Sequence, residues 1–315
     1  MIGRSDSGSE AMAGIGAALR SGLRFSAGAA LGLWLAVAPA TAGGLQSAHS
    51  TSSDGTKIHY VDNRRADAPV LVFVPGWGMD HTIWEAQLAA FADGYRVIAI
   101  DPRSQGASDL AGGGNTPEVR AGDIETLLAS QRIERAVLIG WSQGVQDSMA
   151  YVERYGTTRL AGVVLVDAAV SKGAASAQTD PKAAAQLLQR MAIYAAHPRE
   201  YLQGMMGAIF ARPLPPPVLQ RRVDIALRTP TSTGVAMLVA DLYGADRSGA
   251  LAKLDRPTLI VASAKSDELA AQRAAAQQVP GAVLEVMDEA GHGVFVDRPE
   301  AFNALLRRFL EASVR

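Results

Sequence analysis

Gly140-Trp141-Ser142-Gln143-Gly144 sets one hydroxyl between two residues that have no side chain. The pentapeptide follows a β-branched run at 136–139 and precedes a stretch with Val145, Met149 and Val152 on one helical face. This pattern fits a nucleophile elbow, a sharp strand-to-helix turn that lifts a serine above a sheet. Side chains at Gly140 and Gly144 would collide with the crossing backbone of such a turn, whose serine is held in a strained conformation. A hydroxyl is a poor nucleophile at neutral pH, so Ser142 needs an imidazole to take its proton as attack occurs. Of the five histidines, His49, His59, His81 and His197 default to surface or packing roles. His292 differs, because Ala290-Gly291-His292-Gly293-Val294-Phe295 follows the last expected strand and leads into the closing helix. It is the expected base.

From Lys57 onward, short β-branched runs alternate with helical patterns, the mark of a mostly parallel sheet flanked by helices. The expected strands are 58–61, 70–74, 96–100, 136–139, 162–166, 258–262 and 283–287. Those at 70–74 and 163–166 are apolar throughout and do not alternate, as parallel strands buried on both faces do. Pro299 suits a first helical turn, and Phe302, Leu305, Leu306, Phe309 and Leu310 share one face of the helix after it. Over residues 171–251 the β pattern stops. Amphipathic helices are expected there, broken by Arg212-Pro213-Leu214-Pro215-Pro216-Pro217 and Thr229-Pro230. The fold class is therefore α/β, with a core of residues 43–170 and 252–315 and a helical cap inserted at 171–251.

Residues 54–315 resemble the α/β-hydrolase superfamily, especially its esterase-like members with a cap after the sixth strand. Besides the elbow, the resemblance rests on Pro75-Gly76-Trp77-Gly78, on Asp101-Pro102-Arg103-Ser104-Gln105-Gly106-Ala107-Ser108, and on Gly291-His292 with Phe295 and Pro299. Pro75 departs from the histidine that usually precedes the glycine, and Ser104 from a second glycine. The resemblance implies that backbone N–H groups of Trp77 and Gln143 hold the oxyanion, and that Asp101 and Arg103 brace loops through an ion pair. For the acid that orients His292 it offers two carboxylates at strand ends. Asp267, in Ser263-Ala264-Lys265-Ser266-Asp267-Glu268, lies on the loop where the superfamily most often keeps its acid, and is the first choice. It falls one position late, however, and Asp167 matches a rarer placement at the end of the preceding strand. Glu268 is a more distant candidate.

Composition narrows the rest. The chain of 315 residues is 48% hydrophobic and 19% charged, as in a globular protein with a sizeable core. Its 30 Lys and Arg against 31 Asp and Glu are scattered, which argues against a nucleic-acid partner. Without cysteine, disulfides, thiolate metal sites and a cysteine nucleophile are excluded. Arg20 and Arg24 precede an apolar run of about 13 residues, short of the roughly 20 a membrane span needs, and Ala38-Pro39-Ala40-Thr41-Ala42 closes it. Residues 1–42 thus read as a signal peptide, with a periplasmic or secreted product and no stable membrane anchor after cleavage. The expected reaction is hydrolysis of small or medium apolar carboxylic esters without metal or organic cofactor, with Trp141, Met205 and Phe210 lining the substrate site. Lactone, amide or carbon–carbon hydrolysis and cofactor-free perhydrolysis use the same triad. A non-catalytic ligand-binding protein would be the alternative of a different class, and the sequence leaves the oligomeric state open.

Overall fold

The unbroken Val, Ile and Leu runs become the middle of one eight-stranded sheet in the computed structural model, which describes residues 44–313. The strands are β1 (Gln46–Thr51), β2 (Lys57–Asp62), β3 (Val70–Val74), β4 (Arg96–Ile100), β5 (Ala136–Trp141), β6 (Leu160–Val166), β7 (Thr258–Ser263) and β8 (Val283–Met287). Their order is β1-β2-β4-β3-β5-β6-β7-β8, parallel from β4 to β8 and antiparallel at β1 and β2. The fold is the expected α/β-hydrolase fold. β1 carries no strand signal in its residues, because Gln46–Thr51 is polar, lies at an edge and exposes most of its residues, so no apolar period marks it.

Side-chain alternation explains why the central strands lack a polar face. Leu71 and Phe73 of β3 join one core layer with Val137, Ile139 and Trp141 of β5 and Val164 and Val166 of β6. Val72 and Val74 point to the other side, with Leu138, Val163 and Leu165. Helices cover both layers: α1 (Glu85–Phe91), α2 (Pro117–Ser130), α3 (Gln143–Tyr155) and, beyond the central insertion, α9 (Leu269–Gln278), α10 (Val294–Asp297) and α11 (Pro299–Ser313). The residues expected on one face of α11, Phe302, Leu305, Leu306, Phe309 and Leu310, are all buried.

Between β6 and β7 lie α4 (Ala175–Thr179), α5 (Pro181–Ala196), α6 (Pro198–Ile209), α7 (Pro216–Ala226) and α8 (Thr231–Tyr243). Proline punctuates them. Pro181, Pro198 and Pro216 open helices, where the missing N–H costs nothing, and Pro230 immediately precedes α8. The signal peptide expected over residues 1–42 falls outside the described residues.

Candidate active site

Ser142 sits between β5 and α3 at φ 56° and ψ −114°, a conformation costly for a residue with a Cβ. Its surroundings leave little alternative. A Cβ on Gly140 would stand 2.1 Å from the Gly144 carbonyl oxygen, and one on Gly144 would stand 2.4 Å from the Val74 carbonyl oxygen. Both neighbours are backbone and cannot yield, so the strand, turn and helix close this tightly only around glycine. The Ser142 N–H donates to the Val166 carbonyl at 3.1 Å, which ties the elbow to the end of β6.

Asp167 is the next residue along β6, 1% exposed and at φ 46°. Its Oδ2 lies 2.9 Å from His292 Nδ1. Its Oδ1 accepts the Ser263 N–H at 2.8 Å and a Gln272 side-chain N–H at 3.3 Å, so both carboxylate oxygens are fixed. A histidine that donates from Nδ1 to a carboxylate keeps Nε2 as its acceptor, the tautomer a general base needs. The structure therefore corrects the first choice of acid. Asp267 is exposed on the loop after β7, and that loop reaches Asp167 through its main chain at Ser263. Glu268 holds the segment after Asp167 by accepting the Ala169 N–H at 2.9 Å.

The His292 loop is clamped from both sides. The Trp141 indole N–H donates to the His292 carbonyl at 2.9 Å, and the two rings lie 5.3 Å apart. Trp141 is 1% exposed, so it supports the histidine loop from below instead of offering substrate a surface as expected. From above, the Gly293 N–H donates to the Ile209 carbonyl at 3.1 Å. The Asp297 carboxylate accepts the Gly291 N–H at 2.8 Å and the Ala211 N–H at 2.9 Å. Phe210 lies directly on this loop, since a Cβ on Gly293 would meet its ring at 2.4 Å. Met205 packs half-buried against the core.

Gly76 abuts the elbow: its hydrogen points at Trp141 and Ser142, where a Cβ would fall 3.0 and 3.2 Å from their side chains. This places the Pro75-to-Gly78 loop beside Ser142. Gln143 is the first residue of α3, so its N–H has no acceptor within the helix. The Trp77 indole N–H donates to the Gly234 carbonyl of α8 at 2.9 Å, and its ring meets Tyr194 of α5 edge-on at 5.2 Å.

The motif after β4 braces as expected, but with other partners. Arg103, fully buried, pairs with Asp123 at 2.7 Å and with Asp54 at 2.8 Å. Asp101 instead bridges His59 and His81, each through Nδ1 at 2.8 Å. Burial opposes the ionised Asp101, yet these bonds and the Ala107 N–H hold its carboxyl well below the usual range. Burial likewise opposes a charged His81, and the Asp101 bond outweighs it, raising the imidazole above its ordinary value. The three side chains lie close enough to hold a metal ion. Four N–H donors already occupy the Asp101 oxygens, so hydrogen bonding alone accounts for the cluster.

Comparison with known proteins agrees with this architecture. Residues 71–305 match the alpha/beta hydrolase family. Over 275 residues, 82% of this chain and 98% of the relative, the chain is 30% identical to the non-heme chloroperoxidase CPO-A1 of Kitasatospora aureofaciens. It is 34% identical over 119 residues to the bifunctional esterase/perhydrolase DCH of Acinetobacter calcoaceticus, covering 38% of this chain. The first curated relatives it matches are spanned over only 43% of their length. Among solved structures, the esterase EaEST from Exiguobacterium antarcticum superposes with a TM-score of 0.76 at 23% identity, covering 85% of this chain and 100% of that one, a likeness of fold. With its sheet order, its strained Ser142 and a family match that runs through most of the core, the chain belongs to the α/β-hydrolase family.

Proposed function

We propose that the protein is a serine hydrolase that cleaves carboxylic esters through an acyl-enzyme on Ser142. The observation that carries this reading is the His292 Nδ1 to Asp167 Oδ2 bond of 2.9 Å, on a histidine whose ring lies against the residue preceding Ser142. Ser142 Oγ attacks the ester carbonyl as His292 Nε2 takes its proton. Asp167 steadies the imidazolium without itself being protonated. The Trp77 and Gln143 N–H groups stabilise the oxyanion, and the imidazolium returns the proton to the leaving alcohol. Water then attacks the acyl group with His292 again as base. Apolar residues of the inserted helices, the half-buried Met205 among them, favour small or medium apolar acyl groups, while Phe210, 5% exposed after α6, packs on the histidine loop. Export under direction of residues 1–42 belongs to the same reading.

A fluorophosphonate probe should label the wild type, and Ser142→Ala should lose labelling and at least about 10³-fold of its turnover of nitrophenyl esters. If Ser142→Ala retained more than about a tenth of the wild-type rate, the serine mechanism would fail. The similarity, over 38% of this chain, to a protein named a bifunctional esterase/perhydrolase favours a second reading, in which hydrogen peroxide replaces water on the same acyl-enzyme and releases a peracid. Adding peroxide to a carboxylic acid or ester and assaying peracid separates the two.

A further inference from the structure

Gln105 lies 1% exposed in the loop after β4, and its side chain carries a bond that the catalytic reading does not use. Its Oε1 accepts the N–H of Gly78, the residue after Trp77. The loop that projects Gln105 is itself held at several points. The Gln105 N–H donates to the Pro102 carbonyl at 2.9 Å, and its own carbonyl accepts the Ser108 N–H at 3.1 Å. The Asp101 carboxylate accepts the Ala107 N–H at 2.8 Å, and a Cβ on Gly106 would fall 2.4 Å from that carboxylate. Beyond α7, the Thr229 hydroxyl donates to the Ser104 carbonyl at 2.7 Å. Gln105 Oε1 is therefore a fixed acceptor.

The other partner is a backbone that needs fixing. Gly78 has φ +69°, and a glycine without a restraint moves readily between the two signs of φ. Rotation of the Trp77–Gly78 peptide would carry the Trp77 backbone with it. Gly76 is pressed against Trp141 and Ser142 on one side, the Trp77 indole is anchored to Gly234, and the Met79 N–H donates to the Gly76 carbonyl at 3.2 Å, which closes the turn but leaves its central Trp77–Gly78 peptide, the one that carries the Gly78 N–H, to be fixed. We propose that Gln105 is a positioning residue for the oxyanion site: by accepting the Gly78 N–H, its amide holds the Trp77 N–H aimed at the developing oxyanion.

A neutral amide suits this task better than a carboxylate. A Glu in its place would accept the same N–H but would set a negative charge near an oxygen that itself becomes negative in the transition state. The second half of the amide fits an arrangement kept for the acceptor: among the described residues, buried Gln105 Nε2 finds no hydrogen-bond partner, a penalty that an apolar residue of the same shape would avoid.

The inference rests on the oxyanion assignment to Trp77, and its test is chosen to fail separately from that of the serine mechanism. Gln105→Met keeps volume and removes the strong acceptor. On nitrophenyl butyrate it should lose roughly 10- to 100-fold in kcat, the scale of a misaligned catalytic group, with KM within about threefold of wild type. Affinity for a butyl boronic acid, which forms a tetrahedral adduct on the serine, should fall by the same factor while the melting temperature stays close to wild type. An unchanged boronate affinity, or a kcat within about threefold of wild type, would overturn the proposal even where Ser142→Ala is inactive. Wild-type hydrogen exchange provides a check that needs no variant to fold. The Gly78 amide should be protected in the unliganded enzyme and stay so on boronate binding, whereas exchange at the rate of an open amide would refute the role.

Discussion

Asp167 owes its place on His292 to the end of β6 at Val166, which is paired with Trp141 beside the elbow and hands the next position to the acid. Its carboxylate is buried and filled by donors on both oxygens, so Asn at this position keeps the shape but loses the charge that stabilises the imidazolium and favours the other tautomer. Asp167→Asn should therefore lower kcat by roughly 10³- to 10⁴-fold with the fold intact, while Asp267→Asn, on the exposed loop, should change it by less than about threefold. Steady-state rates on one nitrophenyl ester decide between them, and the reverse ranking would return the acid to the loop after β7.

At the scale of elements, α3 joins catalysis to packing. Because a Cβ on Gly144 would press on the Val74 carbonyl, Gly144→Ala should push α3 off β3 and destabilise the protein by about 1–3 kcal/mol or more, read from urea unfolding. One turn further along, Asp147 meets the fully buried guanidinium of Arg120, which also binds Asp241 of α8. Burial pushes the Asp147 carboxyl upward against the pull of Arg120, and Asp241 is raised for the same reason. The sign follows from proton counting. Folded Asp147 holds a proton that an unfolded aspartate releases near pH 3.9, so its contribution to stability is present below about pH 4 and is lost as pH rises through the raised folded value. Asp147→Asn removes this titration, and its melting temperature should vary less than that of the wild type across that interval.

For the whole molecule, the inserted helices are fastened to the histidine loop, to Trp77 and, through Arg120, to α3. Asp297 joins the histidine loop to the chain after α6. Asp297→Ala should speed hydrogen exchange at residues 209–211 and 290–293 and lower kcat/KM by roughly tenfold, since a modest displacement of a catalytic group is expensive. Unchanged exchange in both segments would show that Asp297 is not the fastener. The proposed export is tested by intact mass: protein from its native host should lack the segment ending near Ala40 or Ala42. The full-length amino terminus in the soluble cytoplasm would contradict it.

Local chemistry made much of this protein legible in its residues. Continuous apolar runs announce strands buried on both faces, prolines mark where helices open, and a serine between two glycines at a strand-to-helix junction has few other uses. Such signals are short-range, because sterics and hydrophobic period act within a few residues. Pairings across the chain leave no comparable trace. His292 and Asp167 are 125 positions apart, Gln105 and Gly78 are 27 apart, and polar β1 acquires strand geometry only by pairing with β2. Two aspartates stood near strand ends, Asp267 as the first choice and Asp167 as the rarer placement. Only the packed sheet, by fixing where β6 and β7 stop and which loop supplies main-chain N–H instead of a carboxylate, decided between them.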